Sequence, residues 1–234
     1  MFHFKQFSDD QTGCAMKINT DGVLLGALVK ADKPQNILDI GTGTGVIALM
    51  LAQRFDNAII DAVEIDEAAA QTANNNFINS PFANRLNICP VGFEQFFDEH
   101  PAKKYDLIVA NPPFYINSLK SKEADKSLAK HAGKRFFEEL TKTVTEHLAI
   151  QGLCYFILPI NTAVLVKKIA IEHGLHLHKV IKLYSFNTGE SHREILTFGL
   201  KEKKLIEEKF VIYDQPNIYS KEYQLILKDF LTIF

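Results

Sequence analysis

Short runs of apolar, β-prone residues along this chain are separated by longer stretches in which apolar positions recur at helical spacing. Asn36 to Ile40 reads as a buried strand and Val46 to Gln53 as the helix after it. Ala58 to Ile65 and Glu67 to Asn79 repeat the pair. Arg85 to Cys89 is a third strand, stopped by Pro90, with Gly92, Phe93 and Glu94 in its exit loop. Tyr105 to Ala110 is a fourth strand that halts at Asn111-Pro112-Pro113-Phe114. A polar segment, Tyr115 to Lys134, leads to a helix over Arg135 to Ile150, a strand over Gly152 to Pro159 and a helix over Thr162 to His173. Lys179 to Phe186 and Glu194 to Lys201 read as antiparallel partners, Phe210 to Tyr213 as an added edge strand, and Tyr219 to Phe234 as a closing helix. At the start, Phe2 to Asp10 pairs as a short hairpin with the residues that follow it, and a helix runs to Val29 behind a cap at Asn19, Thr20 or Asp21. Strands alternating with helices and ending in a strand pair predict an open α/β sheet, parallel for most of its width.

Composition narrows the setting. With 234 residues and 47% hydrophobic content, the chain can fill one sizeable core, so a single domain over residues 1–234 is expected. The first residues lack the long apolar region of a signal peptide, and no run approaches the length of a membrane span. Cys14, Cys89 and Cys154 are odd in number and far apart, which fits reduced thiols in a cytoplasmic protein. A formal charge of −2 gives no global pull toward nucleic acid, so a polyanion site has to be local.

Two stretches carry candidate chemistry. In the first, Asp39-Ile40-Gly41-Thr42-Gly43-Thr44-Gly45 joins a strand to a helix, and glycines there let a ligand approach the backbone and meet the helix N-terminus. The dinucleotide fingerprint needs glycine where Val46 stands, and Asp39 would repel a pyrophosphate. That arrangement suits a ligand with an amino or cationic end. Glu64 lies about 20 residues further on, where an acid in nucleotide-binding α/β folds takes ribose hydroxyls. In the second, Pro113 ends the strand and Pro112 biases Asn111 toward extended backbone. An amine facing this corner can donate one hydrogen to the Asn111 side-chain oxygen and one to the Pro112 carbonyl, while the Phe114 ring stacks on the attached base. An ordinary strand exit through a proline turn explains the same four residues.

These motifs in combination resemble those of class I AdoMet-dependent methyltransferases that modify a planar amino group. The segment Met16 to Ala27, with Phe4-Lys5-Gln6-Phe7 before it, resembles the bacterial tRNA adenine-N6 methyltransferases that act on position 37 of valine tRNA. Thr188-Gly189-Glu190 and the Tyr-rich C-terminus extend the likeness over nearly the whole chain. The resemblance implies a Rossmann-like fold, a mostly parallel seven-stranded sheet with an antiparallel end strand and helices on both faces. It implies S-adenosyl-L-methionine as cofactor and tRNA as partner, in a monomeric enzyme. Gly41, Thr42, Gly43 and Gly45 would approach the methionine moiety, Asp39 its amino group, and Glu64 with Ile65 the ribose end. Thr20, Asp21 and Gly22, within an N-terminal segment of residues 1–30, would close the pocket, and Asn111 would border it. Asn111, Pro112, Pro113 and Phe114 would form the catalytic corner. Many relatives bind the cofactor adenine through an Asp after the third strand. Here Gly92 and Phe93 stand in that exit loop, so either Glu94 substitutes, or Phe93 packs on the adenine while its N–H makes the bond.

Other constellations carry less. His173, His176 and His178 lack a thiol or a second ligand cluster nearby, so no metal site is expected. Ser191-His192 lacks a nucleophile elbow. Lys120, Lys122, Lys126, Lys130, Lys134 and Arg135 read either as a solvated loop and helix start or as an RNA-contacting flap beside the corner. The expected reaction is methyl transfer to an adenine N6. The alternatives are guanine N2 of ribosomal RNA, a protein glutamine amide, or a module that binds AdoMet or RNA without transfer.

Overall fold

The computed structural model describes residues 1–14, 16–112 and 123–234, the last segment with side chains from Ala132 onward. Two short strands, β1 (Phe2–His3) and β2 (Ser8–Asp9), pair antiparallel with each other. Helix α1 (Thr20–Leu28) starts at Asn19, whose Oδ1 accepts the Gly22 N–H at 2.9 Å. The alternating units follow as β3 (Asn36–Ile40), α2 (Val46–Arg54), β4 (Ile59–Val63), α3 (Glu67–Ile78) and β5 (Leu86–Cys89). After these come α4 (Phe93–Glu99), β6 (Tyr105–Ala110), α5 (Glu123–His147), β7 (Leu148–Pro159) and α6 (Ile160–Glu172). The chain ends with β8 (His176–Phe186), β9 (Ser191–Gly199), β10 (Ile206–Gln215), β11 (Ile218–Tyr219) and α7 (Lys221–Leu227).

Strands β3 to β11 form one nine-stranded sheet in the order β11-β10-β8-β9-β7-β6-β3-β4-β5. The seven strands β3 to β9 are the expected core of the fold. β10 and β11 widen it by two, because β10 pairs in parallel with β8 and β11 folds back on β10. The antiparallel strand β9 sits between β7 and β8, not at the edge. Its amino end therefore lies with the carboxyl ends of the parallel strands. One face of the sheet packs on α1, α2, α3 and α7 through residues such as Leu24, Leu49, Phe77 and Leu227. The opposite face packs on α4, α5 and α6 through Phe96, Phe137, Leu140 and Val166. Burying each such side chain contributes roughly 1.5–3 kcal/mol.

Several boundaries differ from the pattern reading. Phe93, Phe96 and Phe97 recur at helical spacing and are all buried, so the supposed exit loop of β5 winds into α4 after Gly92. Helix α5 begins at Glu123, which puts Lys126, Lys130 and Lys134 on helix and not in a loop. β7 takes over at Leu148, and Tyr219 joins β11, so the closing helix keeps only Lys221–Leu227. His178 is buried, and its Nε2 meets the Lys201 carbonyl oxygen at 2.6 Å, while His176 is exposed. Among the described residues no group of three or more His, Cys, Asp or Glu could hold a metal ion, and no helix is long and apolar enough to cross a membrane.

The amino-terminal segment is held against α3 and the glycine-rich turn. Asp9 is fully buried, and Asn76 Nδ2 of α3 donates to it at 3.3 Å and to the Asp10 and Thr44 carbonyls at 2.9 Å each. Thr72 Oγ1 donates to the Thr12 carbonyl at 2.6 Å. Phe4 and Phe7 stack with ring centroids 4.4 Å apart. These contacts brace residues 1–12 against the glycine-rich turn after β3.

Candidate active site at the carboxyl edge of the sheet

The turn after β3 is built to stay open on one side. Both Gly41 and Thr42 donate their N–H groups to the Val63 carbonyl, at 2.9 and 3.1 Å, which ties the turn to the end of β4. Gly43 has φ +57, and a β-carbon there would meet nothing within 4 Å. Gly45 has φ +90, but its β-position lies 2.5 Å from Cε1 of buried Phe77. Gly41 resembles Gly43 in having open space beside it. Two glycines thus border a vacant approach, and the third lets α2 sit close on α3.

Acidic groups organise this turn. Glu64, half-buried, accepts the Gly43 N–H through Oε2 and the Asp66 N–H through Oε1, each at 2.9 Å. A carboxylate has about four acceptor sites, so capacity for a hydroxyl donor is left. Asp39 is fully buried, and its Oδ2 accepts the Thr42 hydroxyl at 2.6 Å. Its Oδ1 is enclosed without a hydrogen-bond partner among the described residues. Burial pushes the Asp39 carboxyl up to about 7. An orphaned buried oxygen beneath an open glycine turn is what a donor group entering the turn would satisfy.

The neighbouring strand exit supplies an apolar side. Ile65 leaves 78% of its surface exposed, and its Cδ1 lies 3.5 Å from the β-position of Gly92. The Phe93 ring is buried in the core, edge-on to Phe136 with centroids 5.9 Å apart. Phe93 also opens α4, where backbone N–H groups have no partner within the helix. Glu94 is exposed, and its Oε2 lies 3.1 Å from the same Gly92 β-position.

One strand over, β6 delivers Asn111, half-buried, and Pro112, buried. Gly22 brings α1 against them: its β-position lies 3.7 Å from Asn111 Nδ2. Thr20 is exposed at the start of that helix, and Asp21 is held by Arg193, whose Nε donates to Asp21 Oδ2 at 2.8 Å. Pro113, Phe114, Lys120 and Lys122 lie outside the described residues. Lys126 and Lys130 are on α5 without described side chains. Exposed Lys134 pairs with Glu138 at 2.8 Å, and Arg135 is exposed. The structure thus brings together Gly22, Gly41, Gly43, Glu64, Ile65, Gly92 and Asn111 along one edge.

Pattern reading missed Arg193 and Asp9. Arg193 enters the edge only because β9 runs antiparallel between β7 and β8, a placement that no local spacing encodes. Asp9 looks like one of two surface acids in sequence, yet the hairpin turns it inward.

The Methyltransferase small domain family matches residues 14–147. A tRNA1(Val) (adenine(37)-N6)-methyltransferase of Pedobacter heparinus is 46% identical over 233 residues, covering 100% of this chain and 98% of the relative. The protein of the same description from Flavobacterium psychrophilum is 41% identical over 231 residues, covering 98% of each. Among solved structures, a predicted O-methyltransferase from Agrobacterium tumefaciens superposes with a TM-score of 0.69 at 16% identity, over 90% of this chain and 96% of that one. A methyltransferase from Pyrococcus furiosus gives 0.56 at 20% identity, over 82% and 91%. These two likenesses establish the class I methyltransferase fold.

Proposed function

The chain belongs to the tRNA1(Val) (adenine(37)-N6)-methyltransferase family, and from that membership we propose that it methylates N6 of adenine 37 in valine tRNA, using S-adenosyl-L-methionine. One observation carries the reading at the level of chemistry. Asn111, at the end of β6, stands one glycine away from the N-terminus of α1 and on the same sheet edge as the open turn at Gly41 and Gly43.

The bound cofactor supplies an electrophilic methyl group on a sulfonium. Gly41, Thr42 and Gly43 would hold its amino-acid end, with Asp39 Oδ1 as the enclosed acceptor. Glu64 would accept from its ribose hydroxyls while still bracing the Gly43 and Asp66 N–H groups. Ile65 would cover one face of its adenine, and the Phe93 N–H at the start of α4 would donate to the ring edge. The buried Phe93 ring supports that choice over stacking, and Glu94 remains the competing partner.

The target N6 is a weak nucleophile because its lone pair is delocalised into the purine. Asn111 Oδ1 and the Pro112 carbonyl oxygen would each accept one of its hydrogens, which turns the lone pair toward the methyl group. Positioning of this kind supplies much of the acceleration. No strong base is required, since the amine proton becomes acidic only after transfer. Pro113 and Phe114 would complete the corner by holding and stacking the base. The adenine must leave its stack to enter, which an anticodon loop permits most easily. Lys120, Lys122, Lys126, Lys130, Lys134 and Arg135 would meet the flanking phosphates. A cytoplasmic monomer acting on tRNA is part of the proposal, and the free Cys14, Cys89 and Cys154 support a reducing setting.

The test uses labelled AdoMet with total tRNA, ribosomal RNA and protein extract, followed by identification of the modified nucleoside. N6-methyladenosine at position 37 of valine tRNA is expected. Labelled N2-methylguanosine or methylglutamine would instead establish one of the alternatives. Asn111→Ala should retain AdoMet affinity and raise the barrier by about 2–4 kcal/mol, as loss of one preorganised hydrogen bond does. Near-parental turnover would mean that the amine is held elsewhere.

A further inference from the structure

The two ends of the chain meet over the start of α1. Lys5 donates its backbone N–H to the Phe230 carbonyl at 2.7 Å and its Nζ to the Phe234 carbonyl at 2.7 Å, and Phe4 bridges to Leu231. Between these ends opens a cleft of about 330 Å³, walled by Phe2, Asn19, Thr20, Tyr223, Thr232 and Ile233 among others. Phe2 is 38% exposed and Ile233 63%, so two large apolar side chains flank an opening that the described chain leaves unfilled. Its size is at the lower end of ligand pockets, roughly 300–1,000 Å³.

Of the residues assigned to the cofactor, Thr20 lines this cleft and Gly41, Gly43, Glu64 and Ile65 do not, so it lies apart from the glycine turn. One of its wall residues nevertheless stands near Asn111. Asn19 Oδ1, in the cleft wall, and Asn111 Nδ2 each lie 3.7 Å from the β-position of Gly22. Gly22 therefore separates one wall residue of the cleft from the side chain that would hold the reacting amine.

We propose that this cleft takes an unstacked base of the tRNA loop adjacent to the methylated adenine. The inference rests on the tRNA reading given above and names where that substrate grips the protein. A planar base has apolar faces and a polar edge. The cleft offers the matching pair, with Phe2, Tyr223 and Ile233 as apolar surface and Asn19, Thr20 and Thr232 as polar groups. Extruding an adenine breaks stacking on both its sides, so a neighbouring base needs a new surface. Exposed Lys17, which precedes the lining residue Ile18, offers a cation for the connecting phosphates.

The test combines protein and RNA changes. Valine tRNA is assembled by ligation, intact or with an abasic site at each nucleotide flanking adenine 37. KM is then measured for the parent, Phe2→Ala and Ile233→Asp, both at exposed positions. One flanking abasic site should raise the parental KM about tenfold, and Phe2→Ala should raise it similarly with intact tRNA, as loss of one base-stacking contact does. Combining the two should add less than about a further twofold, because both remove the same contact. AdoMet affinity should stay at the parental value in both variants, and so should the unfolding midpoint of Ile233→Asp, whereas Phe2→Ala loses a ring contact with Phe4, centroids 4.9 Å apart, and should unfold slightly lower. Parental KM in both variants, or losses that simply multiply, would overturn the inference, and weakened AdoMet binding would assign the cleft to the cofactor and overturn it too. Failure of the parent to methylate intact tRNA would instead sink the tRNA reading, and this inference with it.

Discussion

Substituting alanine at Gly43 and at Gly45 should separate ligand approach from packing within a single turn. At Gly43, φ +57 falls in the left-handed region, and the new β-carbon enters open space. Strain of about 1–2 kcal/mol is expected there, with no clash. At Gly45, φ +90 adds similar strain, and the β-carbon would sit 2.5 Å from Cε1 of Phe77, which is 2% exposed and cannot swing aside. Overpacking of this kind costs about 1–3 kcal/mol more, for a total of about 2–5 kcal/mol. For a chain this long, each kcal/mol lowers the unfolding midpoint by roughly 2–4 °C. Gly43→Ala should therefore unfold within roughly 8 °C of the parent, and Gly45→Ala up to roughly 20 °C below it. Ligand binding should follow the opposite order. The Gly43 β-carbon narrows the approach, so AdoMet affinity should drop at least tenfold by calorimetry. The Gly45 β-carbon points into the core, so folded Gly45→Ala should bind within about threefold of the parent, a difference under 1 kcal/mol. Unchanged affinity in Gly43→Ala would refute the assignment of the turn. A milder destabilisation by Gly45→Ala than by Gly43→Ala would refute the packing argument.

Asp9 predicts a pH dependence of stability. Burial, aided by the nearby Asp10 charge, pushes its carboxyl up from 3.8 to about 7 despite the hydrogen bond from Thr44. Between those values the folded chain binds a proton that the unfolded chain does not, so stability falls as pH rises through this window and levels off above it. Asp39 acts in the same direction, whereas Asp61, which burial raises but Lys103, Tyr105 and Asn87 together hold below 3.8, changes stability only at more acid pH. Asp9→Asn should therefore shrink the gap between urea midpoints at pH 5 and pH 8. An identical gap in parent and variant would show that Asp9 is not the titrating group. The lysines that follow the corner in sequence predict a salt effect: each phosphate contact on a single strand adds about 0.7 to the slope of log affinity against log salt. Replacing Lys120, Lys122 and Lys126 with Gln should flatten that slope by about 1–2 units and leave AdoMet affinity alone. A parental slope would remove this segment from the RNA-binding surface.

Much of this protein was legible in order of residues because its signals are local. The run from Tyr105 to Ala110 is β-prone and is stopped by prolines, and these are properties of neighbours in sequence. The same holds for the glycine turn before α2, for Glu64 at the end of β4, and for the cap at Asn19, since a cap needs only the next three residues. Even α4 had a local signal in Phe93, Phe96 and Phe97, too short to outweigh the strand exit before it. Only the tertiary structure decided which of these pieces share an edge. It set β9 antiparallel between β7 and β8, which carries Arg193 to Asp21 across 172 positions of sequence. It joined both chain ends over α1 and opened a cleft between them. It turned Asp9 inward under Thr44, where burial shifts its titration. It also distinguished three glycines that look alike in sequence, since Gly41 and Gly43 border open space and Gly45 meets Phe77. The physical reason is the range of the forces involved. Propensity, capping and proline restriction act over a few residues, whereas burial, desolvation and close packing depend on whatever the rest of the chain places alongside.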